Sequence, residues 1–325
     1  MKTYRLVSAA FILAAACGGK VPGAGGPGGS SGKVDPNSCG SYAASDAGAK
    51  LKLFLTAVAD LDTRTTEAAN VVRESCVTMG KELGMAEGDL AGQTKDLCAK
   101  VWSTYNANMS VAVKGKAALK IAYKPAVCTV DVQATAEATA KCEGKASADV
   151  GATCSGTCNG TCEGTCSAKN ASGQCAGQCQ GTCKGSCEGH ADVNASAQCE
   201  ASAQASASAD VKCTEPEFSV TLDASLVVDK TKAEQTVNAM KAGFPKLLAL
   251  HARMASLGAA VEATGKASAE LASAGKDLAS SFKDQAFCVS GQIAAAASAA
   301  ANIQANVSVS VEVSASASAS ASGGA

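Results

Sequence analysis

Twelve of the chain's 17 cysteines fall between residues 128 and 213, and their spacing is a mirror. They stand at 128, 142, 154, 158, 162, 166, 175, 179, 183, 187, 199 and 213; the outermost two numbers add to 341, and so does each pair inward. Residues facing one another in an antiparallel hairpin have a constant index sum. The symmetry therefore predicts a ribbon folded about the Asn170–Ala171 bond, with disulfide rungs Cys128–Cys213, Cys142–Cys199, Cys154–Cys187, Cys158–Cys183, Cys162–Cys179 and Cys166–Cys175.

Other residues share the same sum. Outside the cysteines they are Pro125 and Pro216, Tyr123 and Phe218, Ile121 and Val220, Leu119 and Leu222, and Ala117 and Ala224. Between them come Val130–Val211, Ala134–Ala207, Ala136–Ala205, Ala138–Ala203, Ala140–Ala201, Ala146–Ala195 and Val150–Ala191, then Gly156–Gly185, Gly160–Gly181 and Gly164–Gly177. Alternation with period two is a strand signature, and a slip of one residue would destroy it. A helix is disfavoured at C-x-G-x-C, where each glycine would cost about 1 kcal/mol. The expectation is one antiparallel β-hairpin over 111–229 with its tip at 169–172. Straight arms of roughly 56 residues would reach roughly 185 Å. In this register Asp149 and Asp192 face each other, a repulsion rather than an acid–base pair. One face carries Ala, Val, Gly and Cys along its length, and something must cover it or associate with it.

The chain begins with Lys2 and Arg5 followed by an apolar run, Leu6 to Ala16, too short to be retained as a membrane span. Leu13-Ala14-Ala15-Ala16-Cys17 resembles the lipobox of bacterial lipoprotein signals, with Ala14 where that class more often has Leu. The resemblance covers the leader (1–17) only. It implies lipidation of Cys17, export, and an anchor in the cell envelope, at the outer membrane or cell surface; an ordinary leader would give a secreted protein. Residues 18–38 are a Gly/Pro/Ser tether. Beyond the leader no run reads as a membrane span, because the apolar part of 292–303 is short and dominated by alanine.

Setting Cys17 aside leaves 16 cysteines, an even number suited to an oxidising compartment. Cys76 and Cys98 lie symmetrically about the Gly84–Gly88 turn, so antiparallel helices would bring them level. Cys39 and Cys288 pair by elimination.

Helical periodicity flanks the ribbon. In 39–110, Leu51, Phe54, Leu55, Val58, Leu61, Thr65, Ala68, Val72, Cys76, Met79 and Leu83 recur at steps of three and four, and a second helix is expected over 89–106. In 230–301, a segment over 230–243 is expected to kink or break at Pro245. A coiled-coil-like seam then runs from Leu247 to Phe282. From Ala305, Val or Ala alternates mainly with Ser, with Glu312 between, which predicts that 302–325 form a C-terminal strand and a Ser/Ala tail able to pair with a neighbour. The fold class is α+β: a helical bundle at the base of a disulfide-laddered hairpin, with a possible third strand at the C-terminus.

These features point to a lipid-anchored structural protein presenting a braced ribbon for display, adhesion or assembly. The membrane is the partner through the lipid, and a second copy through the small-residue face or the C-terminal strand. A metal-thiolate protein is the alternative, weakened because oxidation removes the thiolates that soft metals need. Net charge is −1, and −3 once Lys2 and Arg5 leave with the leader, so no basic patch invites nucleic acid. His190 and His251 show no partner at ligand or triad spacing. No catalytic residue, metal site or cofactor is expected, and the chain reads as a non-enzyme.

Overall fold

The computed structural model describes residues 33–113, 119–146 and 149–322. The leader with Cys17, the tether up to residue 32, Ala117 and the last three residues lie outside the described residues.

Ser45 accepts a hydrogen bond from the Gly48 amide at 3.1 Å and caps α1 (Asp46–Glu82), whose whole apolar stripe from Leu51 to Met79 is buried. Gly84, at φ +77°, takes the left-handed conformation that ends it. A 3₁₀ turn at Glu87–Leu90 delays α2 (Thr94–Ala112) beyond the expected start, and Cys76–Cys98 joins the two helices at a Cα separation of 5.3 Å.

The outer ends of the mirror are strands. β1 (Leu119–Lys124) sets Leu119 opposite Leu222, Ile121 opposite Val220 and Tyr123 opposite Phe218, and β2 (Cys128–Asp131) sets Cys128 opposite Cys213. The alanine-rich middle is not extended. Val132–Glu143 is α3 and Ala197–Ala209 is α4, bridged by Cys142–Cys199. The strand pairs Ala134–Ala207 through Ala140–Ala201 are thereby corrected to two facing helices. Alanine is the strongest helix former, the Asp131 carboxylate accepts from the Gln133 and Ala134 amides, and Gly144 closes α3 in the left-handed region. Antiparallel helices keep a constant index sum as well as strands do, so the mirror alone does not separate the two. The straight 185 Å ribbon is therefore not formed.

Toward the tip, β3 (Ala152–Cys154) pairs with β7 (Ala191–Val193), and β4 (Thr157–Cys166) with β6 (Cys179–Glu188). With β5 (Cys175–Gly177) and β8 (Lys212–Cys213) these complete a five-stranded sheet in the order β5-β4-β6-β2-β8, beside the separate β3–β7 pair.

β9 (Glu217–Leu222) closes on β1 as a two-stranded sheet. The chain then enters α5 (Lys230–Ser280), which runs through Pro245 as one helix instead of breaking there. The proline forfeits about 3 kcal/mol in a helix. Burial of Phe244, Leu247 and Leu248, each worth about 1.5–3 kcal/mol, offsets it. Phe244 also stacks against Trp102 and Phe218 at 5.7 and 5.5 Å, locking the β1–β9 sheet to the bundle.

The expected C-terminal strand is α6 (Ala286–Ser322), a correction. Alternating small residues contain a helical stripe as well as a strand face. Ile303, Val307, Ser310, Ser314, Ala317 and Ala321 follow steps of three and four and are buried, and α6 packs on α1 and α5. As a helix, Lys283–Ser322 is long and apolar enough to cross a bilayer by length and composition, contrary to the run-by-run reading. Its stripe nevertheless lies inside the bundle. The fold class is thus α+β, with a helical region and a disulfide-laddered antiparallel sheet.

Candidate functional site: the disulfide ladder

In β4 and β6, cysteines and glycines alternate on one face and polar residues on the other. Cys158, Cys183 and Cys187 are at most 2 % exposed, while Thr161, Glu163, Thr165, Gln180, Lys184 and Glu188 are exposed. Val130, Val132 and Ala136 pack with the buried cysteines, so part of the small-residue face is covered within the chain, while Cys162 and Cys166 stay half-buried and Gly164 is exposed.

The backbone register differs from the mirror. Cys158 lies opposite Cys187, Cys162 opposite Cys183 and Cys166 opposite Cys179, a constant sum of 345. The sulfurs nonetheless join Cys154–Cys187, Cys158–Cys183, Cys162–Cys179 and Cys166–Cys175 at Cα separations of 5.6–6.1 Å. Each rung is diagonal: a cysteine bonds to the one a repeat nearer the tip than its backbone neighbour. The facing glycines are Gly160–Gly185 and Gly164–Gly181 rather than the sum-341 pairs. Because C-x-G-x has period four, a slip of four residues restores every Cys–Cys and Gly–Gly match.

Diagonal rungs require a coiled strand. Cys158 lies 6.1 Å from Cys183 and about 5.5 Å or less from Cys187. Cys183 and Cys187 are then at most about 12 Å apart, where four extended residues span about 13 Å. The glycines allow the coiling. Gly164 and Gly181 have φ +146° and +142°, and a Cβ on either would overlap the carbonyl oxygen of Gln180 or Glu163 across the ladder.

At the tip, the Asn170 side chain accepts from the Ser172 and Gln174 amides at 3.1 and 2.9 Å, and Gly173 turns the chain at φ +79°. The turn spans Asn170–Gln174, one or two residues beyond the expected 169–172. The shifted register also removes the Asp149–Asp192 confrontation: Asp192 lies opposite Thr153, and its carboxylate is 3.2 Å from His190 Nε2. His190 thus has the companion that sequence spacing did not show, on an exposed surface. His251 Nδ1 meets Ser314 Oγ at 3.3 Å, and burial pushes its pKa down.

A part-buried polar clasp holds the ladder's helices to the bundle. Lys50 on α1 donates to Glu143 Oε2 at 2.8 Å, and the Ser196 amide donates to Oε1 at 2.7 Å. The Lys50 hydrogen bond, followed by those from Ser196, pulls the Glu143 pKa down to about 2. No sequence motif marked this triad; only the helical reading of 132–143 places Glu143 there. Near the chain's entry, Cys39 bonds Cys288, the Asp35 amide donates to the buried Gln292 at 2.7 Å, and Tyr42 donates to the Pro36 carbonyl. Burial, with Asp35 nearby, raises the Tyr42 pKa to about 12.

The arrangement offers oxidised sulfur rather than thiolate. Cys17 apart, every cysteine is in a disulfide, and among the described residues no cluster of three or more His, Cys, Asp or Glu could hold a metal ion. The thiolate alternative is therefore unsupported. No family model, no curated protein and no solved structure matches the chain. The molecule has a disulfide-braced α+β architecture.

Proposed function

We propose that this is an exported, lipid-anchored, non-enzymatic protein that presents the polar face of the ladder at a cell-envelope surface, for display, adhesion or assembly. The single observation that carries the reading is the oxidation of all 16 cysteines after Cys17, since such disulfides persist in oxidising compartments and are rare in reducing ones. The lipobox-like leader supplies the anchor, and the tether leads to Asp35 and Cys39, which fix the chain to α6. Membrane fractionation with mass spectrometry of the N-terminal peptide tests it. The expected result is a lipid-modified Cys17 in the membrane fraction and release into the soluble fraction by Cys17→Ser. An unmodified protein retained in the cytoplasm would overturn the reading.

A further inference from the structure

We propose that the free edge of β9 is a self-association site, where two copies of this chain pair about a two-fold axis. β9 has β1 as its only partner strand among the described residues, so no strand pairs with its other edge, and α5 packs against β9. In an antiparallel pair every second residue turns both its N–H and its C=O away from the partner strand. On that side Val220, Thr221 and Leu222 share a groove of about 450 Å³ with Glu234, Val237, Asn238 and Lys241 of α5. Sheet edges are usually blunted by lysine, proline or a bulge. β9 carries one charge, Glu217 at its start, which pairs with Lys124 of β1; the rest, 218–222, reads Phe-Ser-Val-Thr-Leu with no lysine or proline, and proline stands only before the strand at Pro216.

The charges along the groove select the occupant. Exposed Glu234 and Lys241 mark its two ends, with Asn238 between them, about 10 Å apart along the helix. A surface with opposite charges at its ends is complementary to itself after half a turn, as an isologous interface requires. An axis near Val237 and Asn238 brings Glu234 of each copy to Lys241 of the other. Among the described residues Glu234 is otherwise paired only with Lys230 at 3.8 Å, an exposed pair one turn away, and Lys241 has no ion-pair partner. Centring the strands on Thr221 sets that residue opposite itself, a favourable cross-strand pair. A centre on Val220 would instead place Glu217 against Asp223. The product is a continuous four-stranded sheet, with β1 and β9 from each copy.

Sedimentation velocity of the oxidised full chain over a concentration series tests the site. The expected result is a concentration-dependent dimer that Lys241→Glu and Glu234→Lys each weaken at least about tenfold by setting like charges together. The double reversal should restore it. All substitutions lie on exposed positions, and circular dichroism checks that the fold is kept. A chain that stays monomeric throughout overturns the proposal. So does a dimer indifferent to either reversal, or one the double reversal fails to rescue.

Discussion

Replacing Gly181 by alanine probes the feature on which the ladder depends most. The residue sits at φ +142°, and its Cβ would overlap the Glu163 carbonyl oxygen on the facing strand. The unusual backbone angle alone costs an L-residue about 1–3 kcal/mol. Relieving the overlap requires β4 and β6 to separate locally, which forfeits one or two ladder hydrogen bonds at about 0.5–1.5 kcal/mol each. The total is about 1.5–6 kcal/mol. Cys162–Cys179 and Cys158–Cys183 still tether the strands on either side, so the loss is local opening rather than global unfolding. Native-state hydrogen exchange should show faster exchange throughout 157–166 and 179–188, with protection of α1 and α5 unchanged. Gly173→Ala is the control: φ is +79°, but a Cβ there meets nothing within 4 Å. It should pay only the backbone term and leave ladder protection intact. Equal effects from the two substitutions, or none from Gly181→Ala, would refute the close-approach argument.

Three further outcomes follow from the packing. Glu143 has a folded pKa of about 2 against an ordinary 4.5, so its stabilisation is present above 4.5 and is lost as pH falls toward 2. The shift corresponds to about 3 kcal/mol, reduced to about 1–2 kcal/mol by solvent around Lys50, which is 29 % exposed. Denaturant melts of Glu143→Gln should show that loss at neutral pH and a flatter profile between pH 4.5 and 2 than the parent. Ala317→Leu should destabilise by about 1–3 kcal/mol through overpacking, whereas Ala319→Leu, on the exposed side of α6, should be nearly neutral in thermal melts; a strand would put both on one face and give them similar effects. Removing Cys142–Cys199 as a double serine variant should cost about 3 kcal/mol, because the inner rungs already shorten the loop it closes.

Sulfur partners were more legible in the sequence than backbone conformation. A constant index sum reports that two segments run antiparallel and close together, and it holds for β1–β9 and for α3–α4 alike. What it omits is the conformation of each arm. The local signals for helix are present at 131–144, in the Asp131 cap, the alanines and Gly144, but the alternation of the mirror is equally compatible with a strand. The same ambiguity misassigned residues 302–322, because Val-Ser and Ala-Ser repeats leave only small side chains, which satisfy either period until α1 and α5 choose one. The four-residue slip in β4–β6 lies beyond pattern reading, since a repeat of period four is blind to it. The Glu143 clasp and the His190–Asp192 contact were hidden for the same reason: each depends on the conformation or register of an arm. The helical stripe of α1, by contrast, was plain, because large side chains at steps of three and four admit one period only.

Disulfide mapping of the non-reduced protein by mass spectrometry reads the diagonal pairing of the ladder itself. The expected bonds are Cys154–Cys187, Cys158–Cys183, Cys162–Cys179 and Cys166–Cys175, diagonal to the strand register. Bonds that follow the facing residues instead, Cys158–Cys187, Cys162–Cys183 and Cys166–Cys179, would contradict that pairing.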